Sequence, residues 1–484
     1  MPFKLLSLSV IFLCIVGVPA LQAGATNPHG RYITYDESAP ILNALREVLP
    51  SELRNAQAAD LPAMWRRWVE HQDRDIRARL AEGDEDSVIN FLLFGTSFTR
   101  KPRITLSVIA QLGAKLGQSR TTTPPDATGL LDSIKARADD LIQSMTSAAS
   151  NERVAFARRV LEAKGLDIKT AAGRQASQEY LLSSLVRVVN KQAGYAKILE
   201  SARLLGDPSA EFAERSRLFS DRGLSSDTSL LPNFAIEKAL GSMKSQGLLA
   251  SGAVKRIGII GPGLDFTDKQ DGYDFYPLQT IQPFAAIDIT LRLGLAKATT
   301  LKVTTLDLSP RINDHIERAR SRGAVGTPYV IQLPRDTQGQ WKPDAIDYWK
   351  RFGDQIGTPA TPVQVPTGTA DLVIRAVKIR PEIAASITPE DLNVVVQRLE
   401  LRPEDAFDLI IATNILVYYD TFEQSLALSN IEAMLKPGGF LLSNNALLEL
   451  PFSGMRSVGY ETVEYSNKPN DGDHIVWYQR SATK

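Results

Sequence analysis

The sequence predicts an α/β protein: its C-terminal half forms a doubly wound parallel sheet that ends in an antiparallel hairpin, and an all-helical N-terminal region precedes it. Short apolar runs, such as those at 256–260 and 407–414, are typical of parallel strands buried on both faces. These runs alternate with segments of helical periodicity between residues 256 and 443. Residues 38–225 instead show amphipathic helical spacing and indicate one or two helical subdomains.

Length and charge narrow the class of protein. The chain has 484 residues, a length sufficient for two or three hydrophobic cores. Of these residues, 43% are hydrophobic and 23% charged, as is usual for a globular protein. Lys+Arg and Asp+Glu are equal at 55 each. This balance gives no electrostatic argument for binding to nucleic acid or to an anionic membrane.

The first 25 residues have the pattern of an export signal. Lys4 precedes an apolar run at 5–18, and Ala23-Gly24-Ala25 forms a small-x-small cleavage site. The run is short for a bilayer span, so we expect cleavage and a periplasmic or extracellular protein. The alternative is an uncleaved membrane anchor. Cys14 is the only cysteine, so a cleaved chain has no disulfide and no cysteine metal site.

The helical region is predicted element by element. Ser38 is expected to cap a helix at 41–48, and Asp60 to cap one that ends at Gly83. Further helices are predicted at 87–94, 104–116, 130–145, 152–163 and 177–189, with a linker at 121–125 and a polar, flexible loop at 223–229. A basic surface on the second helix is either a solvated face or a binding surface; it comprises Arg66, Arg67, Arg74, Arg77 and Arg79.

The α/β half is expected to span residues 232–480. Pro232 opens a helix that Gly247 ends, and core strands are predicted at 256–260, 301–306, 394–399, 407–414 and 440–443. Helices are predicted at 278–293, 309–322 and 421–435, and a terminal hairpin joins 463–465 to 475–478. Residues 324–390 form an insertion with strands at 329–333 and 372–379 and a helix at 343–352. It is either a lid over the site or surface elaboration.

Three features stand at the predicted carboxyl ends of strands: Gly261-Pro262-Gly263, Asp307 and Ala412-Thr413-Asn414. The glycine spacing is not that of a dinucleotide site, which needs Gly-x-Gly-x-x-Gly leading straight into a helix. Acids after the turn would repel a pyrophosphate; they are Asp265, Asp268, Asp271 and Asp274. A nucleoside with a cationic centre and no phosphate fits better. The same acids lack the glycine and glutamate of a calcium loop, so no metal is predicted.

Residues 232–480 resemble the class I S-adenosylmethionine-dependent methyltransferases. The motifs that carry this resemblance are Gly-x-Gly at 261–263, Asp307 in Thr-Leu-Asp-Leu-Ser-Pro, Phe-Asp-Leu-Ile-Ile at 407–411 and Leu-Lys-Pro-Gly-Gly-Phe-Leu at 435–441. The stretch 407–420 is most similar to the chemotaxis-receptor glutamate methyltransferases. The terminal hairpin also fits the antiparallel last strand of the family.

The resemblance implies S-adenosylmethionine as the cofactor and assigns roles by position. Gly261 and Gly263 would pass beside its methionine part, Asp307 would bind its ribose, and Glu400 or a neighbouring residue would lie near its adenine. Asn414 would lie near the methyl group or the substrate. The adjoining residues complete the expected cofactor-contacting set: Pro262, Asp265 and Thr413. The similarity at 407–420 favours a carboxylate on a small molecule or protein as the methyl acceptor.

Plainer interpretations of the same residues stay open. The glycine turn could be a simple connection, Asp307 a helix cap, and Asn414 a buried turn residue. His315 is expected to be a solvated surface residue, and His474 a packed or edge residue rather than a base. The sequence predicts a methyltransferase that acts on an unknown acceptor. The alternative is an exported, non-catalytic domain of the same fold that binds a ligand or a partner.

Overall fold

The computed structural model describes residues 30–104, 108, 125–147, 151–204, 223–267, 273–366, 371–444, 446–468 and 471–482. The predicted export signal, most of the predicted helix at 104–116, all but Pro125 of the predicted linker at 121–125, and Asp268 and Asp271 lie outside these residues. Within them, no helix is both long enough and apolar enough to cross a bilayer.

Six helices of the described residues precede the α/β half: α1 (Tyr35–Ala44), α2 (Ser51–Arg54), α3 (Leu61–Phe94), α4 (Pro125–Thr146), α5 (Glu152–Ala163) and α6 (Ala171–Leu204). The start predicted for the first helix is wrong. The Thr34 side chain caps α1 by accepting from the Glu37 amide, and the Glu37 side chain accepts from the Thr34 amide. This reciprocal pair fixes the helix start before Ser38.

Helix α3 runs for 34 residues and joins two helices that the sequence predicts as separate. The prediction that Gly83 ends the first of them is wrong. A Cβ at Gly83 would lie 1.8 Å from the carbonyl oxygen of Leu224. The glycine therefore makes room for a crossing segment of chain, and the helix continues through it.

The α/β half contains a seven-stranded sheet. Its strands are β2 (Arg256–Ile260), β3 (Lys302–Asp307), β7 (Ile387–Asp391), β9 (Phe407–Ala412), β10 (Leu435–Ser443), β11 (Met455–Glu464) and β12 (Gly472–Arg480). They are arranged in the order β11-β12-β10-β9-β2-β3-β7. Strand β12 is antiparallel to both of its neighbours, and the other four pairings are parallel. The predicted doubly wound sheet and its terminal hairpin are confirmed.

Apolar cores cover both faces of this sheet. Successive residues of β9 alternate between them: Leu409 and Ile411 belong to one core, and Ile410 and Ala412 to the other. The flanking helices are α7 (Leu231–Ser245), α8 (Gln282–Arg292), α9 (Pro310–Ala324), α11 (Pro381–Ala385) and α12 (Thr421–Met434). This two-sided burial explains why the strand sequence is apolar throughout.

The strand predicted at 394–399 is not part of the main sheet. Its place beside β3 is taken by β7, in which Asp391 lies opposite Asp307. The short strand β8 (Gln397–Leu399) pairs instead with β1 (Gly30–Tyr32). Residues 394–396 are apolar because they are buried in the core on one face of the sheet. Edge strand β7 is more polar and carries no strong strand signal in its sequence.

The insertion forms a three-stranded antiparallel sheet with one helix. Its elements are β4 (Tyr329–Asp336), α10 (Pro343–Arg351), β5 (Gly357–Ala360) and β6 (Leu372–Ile379), and the strands pair in the order β4-β6-β5. The two strands and the helix predicted there are present. The predicted end at residue 390 is too late, because β7 begins before it and belongs to the main sheet.

Candidate active site

A cavity of about 410 Å³ lies at the carboxyl edge of β2, β3 and β9. Open α/β sheets bind ligands at this edge, and the volume falls in the range of roughly 300–1,000 Å³ that is usual for small-molecule sites. Six of the predicted site residues line it together: Gly261, Gly263, Asp265, Asp307, Thr413 and Asn414. Pro262 is buried but is not part of the lining.

The glycine turn has a backbone that only glycine adopts easily. Gly261 and Gly263 both have φ of +65°. A Cβ at Gly261 would lie 2.1 Å from Cδ1 of Ile415, and one at Gly263 would lie 2.9 Å from Cβ of Thr228. The space beside Gly263 is thus filled by the chain itself. The expectation that it leaves room for the cofactor needs this correction.

The segment around Thr228 is a wall of the cavity. The Leu264 amide donates to the Ser226 carbonyl at 2.8 Å, and the Thr228 amide donates to the Leu264 carbonyl at 2.9 Å. All residues from 224 to 232 line the cavity. The loop predicted at 223–229 is therefore present, and it forms part of the cavity wall. These two hydrogen bonds hold the segment against the glycine turn.

Asp307 ends β3 with its carboxylate buried, at 7% exposure. Its Oδ1 accepts from the Ser309 amide at 2.7 Å. Burial raises the pKa of Asp307 to about 7, and the Ser309 amide and the Arg311 guanidinium act in the opposite direction. Asp307 thus satisfies an amide just before α9 and also lines the cavity, so the cap and ligand-binding interpretations are compatible.

Asp265 connects the glycine turn to the insertion. Its Oδ2 accepts from the Tyr276 hydroxyl at 3.0 Å and from Nε2 of Gln279 at 2.8 Å. Gln279 also donates to the Gln332 carbonyl and accepts from the Gln332 amide, both at 2.8 Å. The insertion supplies further lining residues: Gln332, Leu333, Pro334 and Trp341. It is therefore part of the cavity wall rather than only surface elaboration.

Thr413 and Asn414 follow β9 at the same edge. The Thr413 hydroxyl accepts from Nε2 of Gln282 at 2.8 Å. Asn414 has φ of +59°, and its amide donates to Oδ1 of Asn444 at 2.8 Å. Asparagine tolerates this left-handed backbone better than most residues. The Asn414 residue is exposed, which contradicts the interpretation as a buried turn residue.

Glu400 is not in the cavity. Its side chain is 68% exposed and pairs with Nε of Arg31 at 2.9 Å. The adenine contact was assigned to Glu400 because the third core strand was predicted at 394–399. The strand beside β3 is β7, so the residues that follow β7 lie where Glu400 was expected. Of these, Leu392 and Val394 line the cavity.

The helical region contributes to the site in a way that the sequence did not predict. Leu80 of α3 lines the cavity, and Nη2 of Arg79 donates to the Tyr418 carbonyl at 2.7 Å. Arg77 pairs with Asp391 at 2.7 Å and with Asp73 at 3.0 Å. The i, i+4, i+7 spacing of Asp73, Arg77 and Leu80 places them on one helix face and was the available signal. The other arginines of the predicted basic surface are exposed: Arg66, Arg67 and Arg74.

His315 and His474, the two histidines considered in the sequence, lie outside the cavity lining. The prediction of a solvated His315 is wrong: it is buried on the apolar face of α9, and its Nε2 lies 2.8 Å from the Tyr329 hydroxyl. Burial lowers the pKa of His315 to about 4. His474 is exposed, near the start of β12, with Nδ1 2.8 Å from the Thr462 hydroxyl. Among the described residues, no group of His, Cys, Asp and Glu is arranged to hold a metal ion.

No family model and no curated protein matches the sequence. Several solved structures do match. Magnesium protoporphyrin IX methyltransferase from Synechocystis PCC 6803, crystallised with bound SAM, is 10% identical and covers 51% of this chain and 79% of its own, with a TM-score of 0.25. TrmN from Thermus thermophilus is 13% identical over 51% of this chain and 52% of its own, with a TM-score of 0.24.

A mutant of MtNAS spans more of the chain. It is 10% identical and covers 78% of this chain and 97% of its own, with a TM-score of 0.25. The C-terminal half has a Rossmann-like fold in which β12 runs antiparallel to both of its neighbours. The more specific similarity of residues 407–420 to the chemotaxis-receptor methyltransferases stays a prediction.

Proposed function

We propose that the protein is an S-adenosylmethionine-dependent methyltransferase. One observation carries the proposal: the glycine turn and Asp307 end adjacent parallel strands and line one cavity. Ile260 lies opposite Leu306 in the sheet, so the turn and the carboxylate emerge side by side. A nucleoside whose ribose has two free hydroxyls and whose other arm is an amino acid fits this pairing. No phosphate is needed at the acidic turn.

The lining residues divide naturally between the parts of this cofactor. Asp307 accepts hydrogen bonds from the ribose hydroxyls, and Leu392 and Val394 offer apolar contacts to the adenine in place of Glu400. Asp265, beside the glycine turn, attracts the ammonium of the methionine arm. These roles use a buried carboxylate, an apolar pair and a second buried carboxylate of the cavity wall.

The cofactor supplies an electrophilic methyl group on a sulfonium. The task left to the chain is to hold the acceptor in line with that group and to exclude water. Asn414 follows β9 and is exposed, so it can contact an acceptor. The aromatic residues Tyr418 and Tyr465 and the insertion residue Trp341 enclose the same space.

Calorimetry on the full chain tests the proposal. We expect S-adenosylmethionine and S-adenosylhomocysteine to bind the wild type, and Asp307→Ala to weaken both by tenfold or more, because a charged hydrogen-bond acceptor is worth about 1.5–3 kcal/mol. Asp347→Ala is the matched control, since that side chain is 58% exposed and pairs only with Lys350 in the described contacts. Absence of binding to the wild type, or equal binding by the Asp307 variant, overturns the proposal.

A non-catalytic domain would pass this binding test but not a turnover test. The methyltransferase releases S-adenosylhomocysteine when the acceptor is present, whereas a binding protein does not.

We also propose that residues 1–25 direct export or anchor the chain. Determination of the N-terminal residue of the purified protein tests this, and a chain that begins at Met1 in the soluble cytoplasmic fraction contradicts it.

A further inference from the structure

We infer that the methyl acceptor is a cationic amine rather than a carboxylate. The inference rests on the proposed function and concerns the same cavity. It contradicts the carboxylate acceptor that the similarity at 407–420 favours. The observation behind it is the charge of the cavity wall together with its aromatic rings.

The charged residues among the described residues of the cavity lining are all acidic. The lining contains four aspartates, and no lysine, arginine or histidine of the described residues belongs to it; the aspartates are Asp227, Asp265, Asp307 and Asp471. A carboxylate acceptor would have to enter against these charges. An ammonium or another organic cation is drawn in by them.

Arginines do lie behind the wall, but each has a partner in the protein. Arg153 donates to the backbone carbonyls of Asp265, Phe266 and Tyr276. Arg311 faces Asp84 at 3.6 Å, and its guanidinium lies 4.0 Å from the centre of the Phe156 ring. Arg79 donates to the Tyr418 carbonyl. Arg153 and Arg79 thus point at backbone carbonyls. The guanidinium nitrogens of Arg311 make no hydrogen bond with the described residues, and its charge lowers the pKa of Asp307. Arg311 therefore offsets part of the charge of one aspartate, but it is not part of the lining, where the described charged residues are all aspartates.

The cofactor accounts for only two of the four aspartates. Asp307 is assigned to the ribose and Asp265 to the methionine ammonium. Asp227 lies on the segment that crosses from the helical region, where the Ser87 hydroxyl is 3.2 Å from both of its carboxylate oxygens. Asp471 lies in the connection between β11 and β12 and accepts from the Ser466 hydroxyl. Both are partly exposed and can meet a second ligand.

Aromatic rings reinforce the preference for a cation. The lining includes Tyr273, Tyr276, Trp341, Tyr418 and Tyr465. The face of an aromatic ring attracts a cation and repels an anion, by roughly 0.5–2 kcal/mol for each well-placed contact. Trp341 and Tyr465 lie on the same side as Asp471, because Trp341 bridges to Ser466 and the Tyr465 amide donates to the Asp471 carbonyl. This side of the cavity therefore combines two rings with a carboxylate.

Methyl transfer from S-adenosylmethionine to an amine nitrogen needs no further reactant. The lone pair of the uncharged amine forms a bond to the methyl carbon, the carbon–sulfur bond breaks, and its electron pair stays on sulfur. The products are a methylated ammonium and S-adenosylhomocysteine, and the ammonium then releases one proton to solvent. The aspartates bind the ammonium form that enters the cavity. This form first releases one proton to solvent to expose the lone pair, a step that desolvation favours and the neighbouring carboxylates oppose.

Matched probes test the inference. The full chain is saturated with S-adenosylhomocysteine and titrated with tyramine and with 4-hydroxyphenylacetate, which share a phenol ring and differ in charge. A second pair is 1,4-diaminobutane and succinate. We expect at least one amine to bind tenfold or more tightly than its matched acid. The inference is overturned if neither amine binds at millimolar concentration, or if an acid binds as tightly as its matched amine.

Substitutions of Asp227 and Asp471 test whether these lining residues are responsible for amine binding. We expect Asp227→Asn and Asp471→Asn each to weaken amine binding threefold or more, while Asp471→Glu, which keeps the charge, retains it. Asp347→Asn, remote from the cavity, should change nothing. Amine binding that survives both Asn substitutions overturns the inference. The affinity for S-adenosylhomocysteine is measured separately in every variant, so a failure of the proposed cofactor is distinguished from a failure of the proposed acceptor.

Discussion

Nη2 of Arg79 donates to the backbone carbonyl of Tyr418 at 2.7 Å and joins the helical region to the edge of the cavity. Tyr418 lies in the helical turn after β9 and lines the cavity. The same guanidinium is 5.9 Å from the centre of the Tyr419 ring. A long helix outside the α/β half therefore supports the turn that presents Asn414. The helical region and the sheet build the site together.

Arg79→Met should loosen this turn. Methionine keeps much of the side-chain length but removes the donors, and a charged hydrogen bond is worth about 1.5–3 kcal/mol. We expect a loss of this order in the free energy of unfolding, measured by urea, and weaker binding of S-adenosylhomocysteine. Arg74→Met on the exposed face of the same helix is the control. Equal effects of the two substitutions would remove Arg79 from the support of the site.

Gly83→Ala should be strongly destabilising, although alanine favours helices. Its Cβ would lie 1.8 Å from the Leu224 carbonyl oxygen, so the segment from 223 onward would have to move. Gly129→Ala is the matched control, because Gly129 is also inside a helix and a Cβ there meets nothing within 4 Å. We expect the control to raise the free energy of unfolding by up to about 1 kcal/mol. Thermal unfolding of the two variants should therefore shift in opposite directions.

The main sheet could be predicted because its central strands are buried on both faces. The sequence of β9 is apolar at nearly every position, and glycine turns mark the ends of the neighbouring elements. The exception was β7, whose Ile-Thr-Pro-Glu-Asp sequence is that of an edge strand. The run at 394–396 was predicted as the third core strand because it is more apolar. It is apolar because it is buried against one face of the sheet rather than paired within it.

The candidate site was predictable where it depends on strand ends alone. Asp307 and the glycine turn follow from the rule that parallel strands share a carboxyl edge. The contributions of Leu80, Arg79 and the insertion were not predictable, since they depend on how distant segments pack. Glu400 was misplaced for a single reason, the wrong third strand. His315 was misjudged because the polar sequence of α9 hides one buried face.

Gly263→Ala should disturb both stability and ligand binding. Its φ of +65° is costly for any other residue, and its Cβ would lie 2.9 Å from Cβ of Thr228. Gly326→Ala separates the two causes, because Gly326 has φ of +80° and open space around it. We expect the control to lose only about 1 kcal/mol from backbone strain and to bind S-adenosylhomocysteine normally. Gly263→Ala should lose more, and should lose binding as well. Calorimetry and urea unfolding of both variants provide the comparison.

Asp307 should make stability depend on pH in a defined direction. Burial raises its pKa to about 7, whereas an aspartate in an unfolded chain has a pKa of about 3.9. The native state therefore holds a proton that the unfolded state has already released. The stability from this group is complete below about pH 4 and is lost as the pH rises through 7. Between these limits the loss amounts to at most a few kcal/mol.

Comparison with Asp307→Asn isolates this effect, since the variant lacks the titrating group and other groups cancel in the difference. The stability of the wild type relative to the variant should fall between about pH 4 and 7 and level off above about pH 8, as measured by urea unfolding. Binding should show the opposite trend. The ribose hydroxyls donate best to an ionised carboxylate, so the affinity of the wild type for S-adenosylhomocysteine should rise over the same pH range and that of the variant should not. Parallel pH profiles for the two proteins would show that Asp307 is ionised throughout and does not titrate near neutrality.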